Sequence, residues 1–241
     1  MVNILITGAN RGIGLAMTKE LLKDKRVKHI FATHRNTGDI KALKGLKDER
    51  VHIMEMDILY DDEIWKVLST VTNIVGEEGL HYLINNAGVL YDYDITGNVM
   101  RKLMCLQMEV NAASPLIVIQ NFLPLLRKGA KNSGKAVIAQ LTGSLGSIQQ
   151  CNGATEQNAT VYRMSKACMN MMTRSLGLDL KEENIVVVSL CPGKVKTTLG
   201  GPGAEIAVDL AGKSLSDILM NKVTIEHAGT FLDRNMKSIP F

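Results

Sequence analysis

The sequence predicts a single α/β domain: a doubly wound sheet of parallel strands with helices on both faces. Three observations carry that reading. Short apolar runs alternate with longer amphipathic ones, the short runs are hydrophobic on both faces, and a glycine-rich turn joins the first run to the first helical stretch. A length of 241 residues allows one large domain or two small ones. No linker, repeat or low-complexity tract divides it, so residues 1–241 are read as one unit.

Strands are expected at Val2–Thr7, His29–Thr33, Val51–Met56, Leu80–Asn85, Ala136–Leu141 and Ile185–Leu190. They are rich in Val, Ile or Leu, as strands covered by two helix layers require. Helical stretches at Gly12–Lys23, Asp61–Val75, Val99–Lys128 and Thr160–Lys181 fill the gaps. Two segments break the rhythm. Polar Ser147–Ala159 reads as a surface loop, and Leu199–Gly212, with its Gly-Gly-Pro-Gly, as a mobile lid. Open α/β sheets bind ligands beyond the carboxyl ends of their strands, where such excursions lie.

Composition narrows the function classes. A hydrophobic fraction of 46% with 22% charged residues forms a core and excludes a disordered chain. Lys and Arg number 28 against 24 Asp and Glu, a net charge of +4. The basic residues are scattered, and Lys41, Lys44 and Lys47 read as a solvated helix face. With no basic run interleaved with aromatics, no nucleic-acid partner is expected. The apolar runs are strand-sized, short of the roughly 20 residues a spanning helix needs, so no membrane is expected. MVNILITG opens on the first strand without a signal-peptide pattern. Cys105, Cys151, Cys168 and Cys191 are irregularly spaced, as reduced thiols are, and a cytoplasmic protein is expected.

The first chemical motif is Thr7-Gly8-Ala9-Asn10-Arg11-Gly12-Ile13-Gly14, between a strand and a helix. Glycines there permit unusual dihedrals and bring backbone amides close to a phosphate, to which the helix N-terminus adds its positive end. On the first strand of an α/β chain this is a dinucleotide signal. The second strand ends Ala32-Thr33-His34-Arg35, without the carboxylate that would bind a free adenosine ribose. Arg35 and Arg11 are instead suited to a 2′-phosphate, which favours NADP(H); otherwise they are ordinary surface arginines. Asp57 either accepts from the adenine amino group or caps the following helix.

The second motif is Tyr162-Arg163-Met164-Ser165-Lys166. Four residues apart on a helix, Tyr162 and Lys166 share a face. A phenol with a pKa of about 10 is a poor acid or base at neutral pH. A neighbouring ammonium favours the phenolate, which makes proton exchange with a carbonyl oxygen practicable. Asn85-Asn86-Ala87-Gly88 either ties strand ends around the cleft or forms a plain Asx turn. Asn111, inside a helical stretch, suits a water site or a local distortion. Cys191-Pro192-Gly193 forces a turn, with Thr197 and Thr198 in reach of phosphate oxygens.

Together these residues resemble the short-chain dehydrogenase/reductase family over nearly the whole chain: TGxxxGxG (Thr7–Gly14), NNAG (Asn85–Gly88), Asn111, YxxxK (Tyr162, Lys166) and Pro192-Gly193. Within it, NILITGANRGIGL, LTGSLGSIQ, VYRMSK and SLCPGKVKT are similar to the C-factor/sniffer-type carbonyl reductases. The resemblance implies a Rossmann fold with seven parallel strands in the order 3-2-1-4-5-6-7. It implies NADP(H) held by Gly8, Asn10, Arg11, Gly12, Ile13, Gly14, Arg35, Asp57, Ile58, Asn86, Ala87, Gly88, Tyr162, Lys166, Pro192, Gly193, Val195 and Thr197. Tyr162 would give the proton to the carbonyl oxygen and Lys166 would hold the nicotinamide ribose. Asn111 would anchor a water in the proton relay.

The chain departs from that pattern at the catalytic serine. In Leu141-Thr142-Gly143-Ser144-Leu145-Gly146 the ungapped position falls on Gly143. Ser144, through a one-residue slide of the loop, is the expected replacement, with Thr142 or no hydroxyl as alternatives. The function expected is NADPH-dependent reduction of aldehydes, ketones or quinones. A nucleotide-binding sensor or signalling protein with little turnover is the alternative, motivated by Gly143. Apolar stretches Leu116–Ile119 and Met169–Met172 point to a homodimer, or else only cover the sheet.

Overall fold

The computed structural model describes residues 1–36, 38–152 and 158–241. Its elements run β1 (Val2–Ile6), α1 (Gly12–Leu21), β2 (Val27–His34), α2 (Lys41–Lys44), β3 (Val51–Glu55), α3 (Asp61–Val75), β4 (Tyr82–Asn85), α4 (Arg101–Met108) and α5 (Ser114–Ser133). After these come β5 (Ala136–Leu141), α6 (Thr160–Asp179), β6 (Ile185–Cys191), α7 (Val208–Asp217) and β7 (Thr230–Asp233). The seven strands form one sheet, ordered β3-β2-β1-β4-β5-β6-β7. Every pairing is parallel. The order reverses between β1 and β4, which opens a crevice at their carboxyl ends.

Strand alternation builds the two helix layers. Ile4 and Ile6 of β1 face one side with Ile30, Val186 and Val188, where Met17 and Leu21 of α1 and Leu215 of α7 cover them. Leu5 faces the other side with Phe31, Leu83 and Val187, under Ile64, Val67 and Val71 of α3 and Phe122 of α5. Each fully buried aliphatic or aromatic side chain of this kind is worth about 1.5–3 kcal/mol of transfer free energy.

Each of the six expected strands is present, and β2 is longer than expected at both ends. β7 was not readable from the residues: Thr230–Asp233 is only four residues long. The stretch Val99–Lys128 is not one regular helix. A π-helical segment, Glu109–Ala113, separates α4 from α5, and α5 runs on to Ser133, where Gly134 ends it in the left-handed conformation at φ +80°. The continuous helix Arg101–Ser133 is long and apolar enough to cross a membrane by length and composition. That departs from the strand-sized runs read in sequence, but its residues Val118, Phe122 and Leu126 are buried against the sheet. Of the expected loop Ser147–Ala159, residues 153–157 lie outside the described residues. The expected lid Leu199–Gly212 is partly regular, since α7 begins at Val208. Its other part is tied back by a bridge between Val195 and Ile206.

Candidate active site

Thr7 follows β1 directly, and its hydroxyl oxygen accepts the backbone N–H groups of Asn86 and Ala87, both at 3.0 Å. The Asn86 amide donates to the carbonyls of Thr7 at 2.7 Å and Gly8 at 2.9 Å. Asn86 therefore ties the ends of β1 and β4 together, as one reading of its motif required. Gly8 and Gly12 hold φ of +65° and +55°, where side chains are strained. At Gly14 a Cβ would stand 2.5 Å from the Gly8 carbonyl oxygen, so only glycine lets α1 approach the turn. The first turn of α1 carries no side-chain cap and no acidic residue. Gly12 and Ile13 of that turn line the crevice.

A cleft of ≈1560 Å³ runs from this turn across the sheet ends to α6. Arg11 and Arg35 line one end, both exposed, and neither forms an ion pair among the described residues. The Asn10 side chain donates to the Asp39 carbonyl at 3.2 Å and steadies the loop after β2. Met56 and Ile58 line the cleft, but Asp57 is not on its wall. The Asp57 carboxylate accepts the Leu59 N–H at 3.1 Å, and its N–H donates to Glu63 of α3. The Asp57 carboxylate thus braces the turn before α3, whose N-cap position is Tyr60.

At the other end Tyr162 and Lys166 are both nearly buried, 6% and 4% exposed, and both line the cleft. The Lys166 Nζ lies 5.7 Å from the centre of the Tyr162 ring and donates to the Leu141 carbonyl at 2.9 Å. Burial lowers the Lys166 pKa to about 8. At neutral pH the ammonium therefore remains charged, beside the phenol.

Asn111 sits in the π-helical segment, fully buried. Its amide donates to the Val89 carbonyl at 2.8 Å and to the Ser165 hydroxyl at 3.0 Å, and its oxygen accepts the Val89 N–H at 2.8 Å. Both amide hydrogens of Asn111 are thus committed to protein atoms. It acts as a clamp: Ser165 passes the contact on to the Tyr162 carbonyl at 2.8 Å.

Thr142 lines the cleft, yet its hydroxyl reaches the Lys166 carbonyl at 3.5 Å. Ser144 is exposed on the cleft and opens a short 3-10 turn, Ser144–Gly146. Burial pushes the Cys191 thiol pKa up, against the N–H groups of Gly193 and Ser144 that point at its sulfur. Gly193 turns at φ +78°, where a Cβ would strike Ile206. Thr197 lines the cleft, but its hydroxyl oxygen accepts the Gly200 N–H at 3.0 Å. Sequence reasoning missed Lys194 and Lys196, which add positive charge to the lining. Their placement on either side of Val195, just past Pro192-Gly193, was the available signal. It also missed Ser165, a link invisible without the fold.

The sequence pattern described as short chain dehydrogenase matches residues 2–205. C-signal of Myxococcus xanthus is 36% identical over 159 residues, which is 66% of this chain and 91% of that protein. Among solved structures, the carbonyl reductase Sniffer of D. melanogaster superposes with a TM-score of 0.93 at 32% identity, covering 100% of both chains. An NADPH-bound carbonyl reductase from chicken fatty liver gives 0.92 at 32% identity, covering 99% of this chain and 98% of that one. With the family pattern matching most of its length, the chain belongs to the short-chain dehydrogenase family of oxidoreductases.

Proposed function

We propose that the protein is an NADPH-dependent carbonyl reductase acting on small aldehydes, ketones or quinones. The observation that carries this reading is the Tyr162–Lys166 pair, buried on the wall of a cleft that continues to a glycine turn. The residues present suit the dinucleotide. Gly8 and Gly12 keep the turn open, the N-terminus of α1 would hold the diphosphate, and Arg11 and Arg35 would offer guanidinium groups to a 2′-phosphate. The NADPH-bound state of the chicken carbonyl reductase supports the same choice. When bound, the reduced nucleotide supplies the hydride; the protein supplies orientation and the proton. Tyr162 gives its proton to the carbonyl oxygen, Lys166 favours the resulting phenolate, and Asn111 holds α6 against the end of β4. The test is NADPH consumption with a panel of carbonyl compounds, alongside NADPH binding. Turnover supports the reductase.

A second reading is an NADP(H)-binding sensor or signalling protein. Gly143 at the expected serine position favours it, as does the similarity to C-signal. Nucleotide binding without turnover of any compound in the panel would select it.

Two broader expectations belong to the same proposal. The four cysteines are unpaired and three are exposed, which suits a reducing, cytoplasmic setting. Leu116 of α5 and Met164, Met171 and Leu178 of α6 are exposed, which suits a homodimer formed through these helices. Sedimentation equilibrium at a mass near 26.4 kDa would instead mark a monomer.

A further inference from the structure

Gly143 follows β5 with φ −162° and ψ 159°, an extended backbone that any residue adopts. A Cβ built there meets no atom within 4 Å. Neither the path of the chain nor its packing calls for glycine. Gly146 is different: there a Cβ would come 2.8 Å from the Lys166 backbone. Gly143 lies on the cleft wall together with Tyr162 and Lys166, so the empty space beside it is ligand space.

The flanking hydroxyls do not take its place. Adjacent residues of an extended segment point to opposite faces, and Thr142 turns to the Lys166 carbonyl. The β5–β6 ladder runs in register to Leu141 and Leu190. Thr142 N–H then donates to the Leu190 carbonyl at 3.0 Å. Asn170 holds the Gly146 carbonyl at 3.1 Å, and the Ser144 N–H is directed at the Cys191 sulfur. Pinned at both ends, the segment has no slack to slide Ser144 into position 143.

We infer that Gly143 is a specificity determinant: it withholds a second hydrogen-bond donor from the carbonyl oxygen served by Tyr162. Efficient turnover is thereby confined to carbonyl compounds activated by an electron-withdrawing neighbour, such as electron-poor aryl aldehydes and vicinal dicarbonyls. The inference rests on the reductase reading. In the step, a hydride from the reduced nicotinamide bonds to the carbonyl carbon and the π pair moves to oxygen. The oxygen then takes the Tyr162 proton, leaving an alcohol and the oxidised nucleotide. Charge on that oxygen peaks while the hydride runs ahead of the proton. One preorganised donor to such an oxygen is worth about 10²–10³-fold in kcat. Without it, the substituent on the substrate must carry the charge.

The test uses 4-nitrobenzaldehyde and 4-methoxybenzaldehyde with NADPH under single-turnover conditions, for the full-length enzyme, Gly143→Ser and Gly143→Ala. The wild type should favour the nitro compound by at least about 10²-fold, and a flat response overturns the inference without any variant. Gly143→Ser should accelerate the methoxy compound about 10²-fold and the nitro compound less than about tenfold. Gly143→Ala, which adds bulk without a donor, should leave the ratio as in wild type. An unchanged ratio in the serine variant, or an equal change in the alanine variant, overturns the inference alone. NADPH binding with no turnover by any of the three forms overturns the reductase reading and this inference with it.

Discussion

The Lys166 ammonium donates 2.9 Å to the Leu141 carbonyl while standing 5.7 Å from the centre of the Tyr162 ring. One backbone oxygen at the end of β5 thereby holds that charge beside the phenol. A lone ammonium in this setting is costly, and that cost is measurable.

The pH dependence of reduction follows from the sign of the Lys166 shift. Burial lowers its pKa to about 8, so the group is charged below that pH and neutral above it. In the proposed mechanism, reduction needs Tyr162 protonated and the ammonium beside it charged. The kcat/KM for carbonyl reduction should be flat below about pH 8 and fall up to tenfold per pH unit above it. Lys166→Arg, which stays charged, should move that limb upward; an unmoved limb assigns it to another group.

The same shift makes Lys166 a stability liability. The unfolded chain keeps the lysine proton to the ordinary pKa of 10.5, whereas the folded chain releases it near 8. Between those values the unfolded state binds more protons, so stability rises with pH across that window. The shift corresponds to about 3 kcal/mol against the charged form at neutral pH, less the hydrogen bond to Leu141. Lys166→Met should be inactive yet more stable than wild type by about 1–3 kcal/mol at pH 7. Urea melts at pH 7 and pH 10 check it: the advantage should shrink at the higher pH.

Cofactor choice turns on Arg35. Arg35→Asp replaces a cation at the cleft rim by a group that repels phosphate. Affinity for NADPH should fall about tenfold to a hundredfold while affinity for NADH stays within about threefold. Fluorescence titration with both nucleotides decides it. Equal changes in the two would remove Arg35 from the 2′-phosphate site.

Asn111 holds three hydrogen bonds inside the π-helical segment. Asn111→Ala leaves the Val89 N–H and carbonyl without these partners and frees the Ser165 hydroxyl from its clamp. About 2–4 kcal/mol of stability should be lost, with kcat reduced more than KM is raised. Thermal melts and steady-state kinetics on the folded fraction separate the two effects.

Much of the fold was legible because the buried parallel strands are nearly continuous apolar runs, broken only by Ser189 in Ile185–Leu190 and by Gln140 in Ala136–Leu141. β7 escaped because Thr-Phe-Leu-Asp at 230–233 is too short to carry a pattern, and only the family resemblance implied a seventh strand. The π-helical segment at Asn111 escaped in part. The sequence flags an awkward amide, but its partners Val89 and Ser165 come from distant parts of the chain. Asp57 showed the limit at the site itself, since adenine contact and helix capping ask for the same carboxylate. Burial of Lys166, which sets its acidity, depends on Leu141, Gly146 and Cys191 meeting around it and has no signature in Tyr-x-x-x-Lys.

The most direct measurement is the single-turnover reduction of a carbonyl substrate by Tyr162→Phe with NADPH prebound. The phenyl ring keeps the packing of α6 and removes only the hydroxyl. The predicted result is NADPH affinity within about threefold of wild type and a rate lower by about 10³-fold or more. A variant that binds NADPH and reduces the substrate within about tenfold of wild type contradicts the assignment of Tyr162 as the proton donor.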